Sequence, residues 1–378
     1  MFDISLQKRD PTNPHRSGWN YIYDNIQSFK IQDMTSTLTS KKTIYLDLNV
    51  DGTFHWNHNN ACNLPYKRKW VGFIHHTFDT SFSDYNCTVL FNNELFIKSL
   101  DCCKGLIVLS KYLQRQLSNE LAKRKLNIKV FYICHPTEMV VVKFSYNKFL
   151  DNKSKKMIHI GHWMRNIYSF YRLTLSPSYS FGRNIFSFGT LKAPIEKAII
   201  NCKGNYHQSE TFIKDIKNVL CKENTGNCNQ KHSISDGCKN GKNHWYEYFL
   251  LDINNMIKNV KVIDKLSNPH YDHLLSENIV FINLIDASAV NTLIECIVRN
   301  TPIIINKIDS VVELLGDDYP LYYNSNTNYF NINLQIENLL NKKNNIRDAT
   351  KYLSRLDKNK FKIELFNDEL NNIIKTLE

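Results

Sequence analysis

The sequence predicts an α/β protein of two domains, each built on a mostly parallel sheet. Three observations support this. Short apolar runs alternate with helical patterns along both halves. Residues 278–306, NIVFINLIDASAVNTLIECIVRNTPIIIN, read as strand, loop, helix and strand. The 378 residues suffice for two domains of ordinary size.

The elements follow in chain order. MFDISLQKRDP has little apolar alternation, so a first strand is poorly defined there, and nothing in it reads as a targeting sequence. Ser17 and Gly18 precede NYIYDNIQSF, where Tyr21, Ile22, Ile26 and Phe29 share a helical face. Strands are expected at 43–48, 70–74, 105–109 and 130–134, with a helix over KYLQRQLSNELAKRK between the last two. The polar, lysine-rich stretch 141–156 is the expected domain junction, giving domains at 1–150 and 151–345. Residues 156–161 then open the second sheet.

Residues 201–244 are rich in Asn, Lys, Gly and Ser and read as a surface insertion. A helical pattern resumes through YEYFLLDINNMIKNV, and KVIDKL is strand-like. In the βαβ unit, Val280–Ile285 and Pro302–Ile305 are apolar as doubly buried strands should be. Asn291 is the expected N-cap, Leu293, Ile294, Ile297 and Val298 form the sheet-facing stripe, and Asn300 with Pro302 ends the helix. Glu295 falls about one turn in. Beyond the carboxyl ends of such strands, helix N–H groups favour a diphosphate and a carboxylate can take ribose hydroxyls. The tail 346–378 is helical in pattern.

The net charge of +12 is uneven: residues 101–160 hold 12 Lys/Arg against 4 Asp/Glu. That stretch suits an anionic partner, whether nucleic acid, an acidic membrane surface or a phosphorylated acceptor, and reads equally as solvated lysines in a chain rich in Asn, Lys and Ile. The ten cysteines are scattered and several lie in apolar runs, which fits a reducing, cytoplasmic setting. Cys221, Cys228 and Cys238 with His232 and His244 lack a C-x₂₋₄-C pair, so zinc is disfavoured there. His75 and His76 end the strand WVGFI at a sheet edge, where either can be a structural histidine bonded to a carbonyl; no acid and no third His at ligand spacing supports a metal role. The chain has no run of eighteen apolar residues, no GxGxxG, no P-loop, no HExxH and no Asp-x-Asp. Dehydrogenases, P-loop NTPases, zincins and metal-dependent GT-A transferases therefore lose support.

The βαβ unit, with YDHLL before it and SVVELLG after it, resembles the nucleotide-sugar half of GT-B glycosyltransferases, the group 1 retaining branch most of all. The resemblance implies two Rossmann-like domains, a last helix crossing back to the first domain, and a nucleoside-diphosphate sugar as donor with no cofactor and no metal. The branch carries two glutamates separated by seven residues, the second on the donor ribose. Glu295 matches the second, whereas the first falls on Ala287, one residue past Asp286. RSGW resembles the glycine-rich first loop, with Ser17 and Gly18 near the diphosphate. His75 or His76 matches the histidine near the reacting sugar carbon. In GHWMR, Gly161 matches a glycine that a cation follows; His162 takes the place of an arginine, leaving Arg165 and Arg172 to meet the leaving diphosphate. Asn291 and Thr292 supply N–H groups. Glu313 matches a glutamate that bonds backbone N–H groups, and Ser110 and His135-Pro136 match sheet-edge landmarks.

These readings imply transfer of a sugar to a hydroxyl of a glycan or glycoprotein, with retention. Two further readings stand beside it: a non-catalytic GT-B-like scaffold, and a nucleic-acid binder using the basic stretch with Tyr112, Phe131, Tyr132 and Tyr146. Nucleic acid is the disfavoured partner, and membrane contact would be peripheral. The composition resembles that of glycosyltransferases encoded by large DNA viruses, which implies host cytoplasm or virion as the location.

Overall fold

A computed structural model describes residues 4–6, 18–26, 44–56, 64–161, 163–171, 173, 187–191, 260–263, 266–327 and 329–377. Two sheets organise them. The first consists of β1 (Ile4–Leu6), β2 (Ile44–Asp47), β3 (Trp70–Ile74), β4 (Cys103–Val108) and β5 (Val130–Tyr132), side by side in chain order and parallel throughout. The second runs β11-β10-β9-β6-β7-β8, from β6 (Lys156–Ile160), β7 (Ser187–Leu191), β8 (Val260–Ile263), β9 (Ile279–Ile282), β10 (Ile303–Asn306) and β11 (Tyr322–Tyr323), again all parallel.

Both faces of the first sheet are apolar, and period-2 alternation divides its residues. Ile44, Leu46, Val71, Phe73 and Ile107 point to one layer. Tyr45, Trp70, Ile74, Leu106 and Val108 point to the other, where the Val50–His55, Glu94–Leu100 and Lys111–Lys123 helices cover them. The first layer is closed by the Trp19–Asn25 helix and, from the far end of the chain, by the Ile363–Thr376 helix. Ile363, Phe366, Leu370, Ile373 and Ile374 share the i, i+3, i+4, i+7 stripe that this contact needs. Burying each contributes about 1.5–3 kcal/mol.

The structure departs from the sequence reading at several elements. Ile4–Leu6 is a strand despite its short apolar pattern, because β2 offers it a parallel edge. Val290, not Asn291, is the N-cap of the Asn291–Arg299 helix; Asn291 is its first helical residue. Asn300 does end that helix, in the left-handed conformation (φ 58°). Within 141–156, Phe144 and Phe149 belong to the second sheet's core, as do Cys134 and Val140 just before it, with a helix at Tyr146–Asp151. Phe29, the 201–244 insertion and the helical pattern at 246–259 lie outside the described residues.

The return of the last helix sets a test. Leu370→Ala removes a side chain buried in the first sheet's layer, and is expected to cost about 2–5 kcal/mol of unfolding free energy by chemical denaturation. Leu365→Ala, at a 38 % exposed position of the same helix, should cost under about 1 kcal/mol.

Candidate functional site

The strand order of the second sheet reverses between β6 and β9, since β7 and β8 lie on one side of β6 and β10 and β11 beyond β9. The loops leaving the carboxyl ends of those two strands therefore diverge and open a crevice, the favoured ligand position in open α/β sheets. After β6 the chain turns at Gly161 with φ +81°, and the Arg165 guanidinium carbon lies 3.0 Å from where a Cβ on Gly161 would stand. Only glycine serves both demands. Main-chain bonds Asn166 N–H to Asn283 O (2.8 Å) and Ile285 N–H to Met164 O (2.9 Å) then tie this loop to the one after β9.

Arg165 donates through Nη1 to Trp163 O at 2.8 Å and through Nη2 to the Thr292 hydroxyl at 3.3 Å. Thr292 is in the first turn of the Asn291–Arg299 helix, which has no acidic residue in that turn and no side-chain cap. A cation at the positive end of a helix is unfavourable alone, and the pairing makes sense around an anion. Burial lowers the guanidinium to about 10, against the opposing field of Glu295, so it stays charged at neutral pH. Glu295 is 1 % exposed and accepts from the Tyr271 hydroxyl at 2.5 Å.

Across the cleft, β3 ends at His75 and His76. Both are held by Asp51, a wholly buried carboxylate on the Val50–His55 helix. Its Oδ2 accepts from His75 N–H at 2.6 Å and meets His75 Nδ1 at 3.2 Å; its Oδ1 accepts from His76 N–H at 3.3 Å. Burial opposes its charge, but His76 and the donors of His75 outweigh that and hold the carboxyl below the usual range. Burial pushes His76 down in spite of Asp51. His75 packs edge-on against Trp19 at 4.4 Å, so the helix that Gly18 caps abuts this edge. His75, His76, Thr77, Trp163, Met164, Arg165 and residues 287–291 enclose a cavity of about 190 Å³ between the sheets. That is smaller than the roughly 300–1,000 Å³ of sites that bury a whole small ligand, so it fits the reacting end of one.

Two carboxylates reach from the second sheet's side to the first, one on the Asp309–Leu315 helix after β10 and one on the loop after β9. Glu313 accepts from the N–H groups of Lys111 (2.7 Å) and Tyr112 (3.0 Å), supplementing the Ser110 cap of the Lys111–Lys123 helix. Asp286 accepts from Ala287 N–H at 2.8 Å and from the Tyr112 hydroxyl at 3.4 Å. Burial raises Asp286, although hydrogen bonds from Thr77, Ala287 and Tyr112 oppose the rise.

The structure thus brings His75, His76, Arg165, Gly161, Asn291 and Thr292 to one cleft, with Asp286 bonding across it and Glu295 behind it. Gly18 is at the same edge, with φ −91°, which any residue adopts. Ser17, His162, Arg172 and the Cys/His group at 221–244 lie outside the described residues. His135 is a buried ring whose Nδ1 lies 2.7 Å from Pro136 O. One expectation is corrected: an acid and a third histidine do stand with His76, because the Val50–His55 helix delivers Asp51 and His55 to it. Their four-residue spacing was the available signal, hidden because Gly52 argues against a helix.

No protein-family profile and no curated protein matches the sequence. Solved structures do. The Anabaena protein Alr3699/HepE, solved with UDP and glucose, is 9 % identical over 100 % of both chains, with a TM-score of 0.57. The pneumococcal O-GlcNAc transferase GtfA, solved with UDP and GlcNAc, is 10 % identical at TM-score 0.53, over 89 % of this chain and 57 % of that one. S. aureus TarM, solved with Fondaparinux, alpha-GlcNAc-glycerol and UDP, is 14 % identical at TM-score 0.52, over 88 % of this chain. The chain spans 55 % of the TarM length. At these identities the likeness establishes the fold, which is GT-B: two parallel-sheet α/β units facing one cleft.

Asp286 yields a pH test. Its folded-state pKa is raised above 3.8, so its contribution to stability is full below that value and is lost as pH rises through the folded pKa. Asp286→Asn does not titrate. Its stability relative to the parent, by denaturation between pH 3.5 and pH 7, is therefore expected to improve as pH rises.

Proposed function

We propose that the chain is a glycosyltransferase that moves a sugar from a nucleoside-diphosphate donor to a hydroxyl of a glycan or glycoprotein, with retention at the anomeric carbon. The observation that carries this reading is Arg165 lying at the uncapped N-terminus of the Asn291–Arg299 helix, in a crevice that two histidines from the other sheet close. Two positive features with no carboxylate in that turn favour a diphosphate. Their stabilisation grows as the leaving group gains charge.

In this account the N–H groups of Asn291 and Thr292, with Arg165, take the phosphates, so no divalent cation is required at the diphosphate. Gly161 lets the loop lie close, and Gly18 stands at the same edge; Ser17 and Arg172 are assigned to the diphosphate by the resemblance alone. Ribose hydroxyls displace Tyr271 from Glu295. His75 or His76 positions the sugar, with Asp51 fixing both backbones, and Asp286 with Glu313 holds the units closed against water. UDP in complexes of proteins with this fold supports uridine as the base. A cytoplasmic setting, a viral source and peripheral contact with anionic membranes through the basic 101–160 stretch belong to the same proposal.

Turnover tests it. Purified protein incubated with UDP-glucose and UDP-GlcNAc and a panel of glycan acceptors should release UDP, and the new linkage should keep the donor's α configuration by NMR. Glu295→Ala should raise donor KM by about 10-fold or more, since charge-assisted bonds to a carboxylate contribute about 1.5–3 kcal/mol. Donor binding without any turnover would favour a GT-B-like scaffold; an inverted product would overturn retention.

A further inference from the structure

On the first sheet's side of the cleft, a cluster of side chains plays no part in holding the diphosphate. Asp51 and His55 stand four residues apart on the Val50–His55 helix, and His76 reaches them from the end of β3. One ligand atom of each lies within 4.8 Å of the other two. His55 Nε2 and His76 Nδ1 are buried without a hydrogen-bond partner among the described residues. The remaining ring nitrogens have partners in reach: the Asn86 backbone for His55 and the Tyr85 backbone for His76.

Those carbonyls make each ring's other nitrogen the proton carrier. The inward nitrogens then present lone pairs beside the buried carboxylate, whose oxygens already accept from the His75 and His76 N–H groups, so the two ring nitrogens are the acceptors left unmet. Unmet buried acceptors cost about 1–3 kcal/mol each, and a cation removes that cost. We propose that Asp51, His55 and His76 form a binding site for a divalent d-block cation such as zinc. Two imidazoles and one carboxylate, each ring oriented by a backbone carbonyl, are a set that zinc accepts with its fourth position open.

The donor atoms stand somewhat wider than the roughly 3.4 Å edges of a tetrahedron with bonds near 2.1 Å, so binding draws the half-buried His55 ring inward. Aromatic rings enclose the site: Trp56 stacks on His55 at 6.2 Å, Tyr85 lies 5.6 Å from His55, and Trp163 from the second sheet's loop lies 5.1 Å from His76. Trp163 carries the contact across the cleft, because Arg165 bonds its carbonyl. The site commits His76 to the cation and leaves His75, with Nε2 unpartnered, to face the sugar.

Cobalt titration reads the site without reference to any sugar chemistry. The metal-stripped full chain should bind one equivalent of Co2+ with the intense visible absorption of tetrahedral coordination, displaced by Zn2+. His55→Ala and His55→Gln, checked for folding by circular dichroism, should weaken binding by at least about 100-fold, more than changes outside the ligand shell cause. His75→Ala and the insertion variant Cys228→Ser/His232→Ala should keep it. A Co2+ spectrum unchanged in the His55 variants, or absent from the parent chain, would overturn the proposal.

Discussion

The turn at Gly161 is the constraint on which the cleft depends. A positive φ there, with no side chain to keep the guanidinium away, folds Arg165 back over its own strand end and onto the hydroxyl of Thr292. That contact joins the loop after β6 to the helix after β9, the two elements that diverge at the reversal of strand order. A larger residue at 161 would meet both a strained backbone and the guanidinium. The anion-attracting geometry is thus local in sequence on one side and distant on the other, and neither half makes it alone.

The first sheet is coupled to this pocket by few but specific groups. Asp51 fixes the backbone of both histidines from beneath, with its own helix begun by the Asn49 side chain bonding Gly52 N–H at 3.0 Å. Glu313 and Asp286 bond the start of the Lys111–Lys123 helix from the opposite unit. These are polar contacts at a cleft rim, which can open and re-form, whereas the Ile363–Thr376 helix buries an apolar stripe on the first sheet. A strong apolar tether combined with breakable polar clamps suits a protein that closes on a ligand and releases it.

How much of this could be read from the residues follows from how local each signal is. WVGFI declares itself as a strand because its five residues are apolar and buried on both faces, and the NTLIECIVR helix because its stripe has the helical period. The Val50–His55 helix does not: Val50, Gly52 and Thr53 lower helix propensity, and packing settles the matter, with Val50 lying so close to Gly72 that a Cβ there would stand 2.5 Å away. Asp51 and His55 were therefore missing from the sequence reading of the site, while His75, His76 and Arg165 were legible from their places after strands. Partners about two hundred residues apart, such as Glu313 with Lys111, leave no pattern in a single chain. Glu295 was legible as a helix position but not as a carboxylate already taken by Tyr271.

The central claim is an anion site for a nucleoside diphosphate built on Arg165. Calorimetric titration of UDP into the parent protein and into Arg165→Ala, each in magnesium and in EDTA, tests it most directly. One UDP per chain should bind with equal affinity in both buffers, weakened by about 10- to 100-fold in the variant, as the loss of a charged hydrogen-bonding partner of about 1.5–3 kcal/mol implies. Binding that requires magnesium, or that Arg165→Ala leaves unchanged, would contradict it.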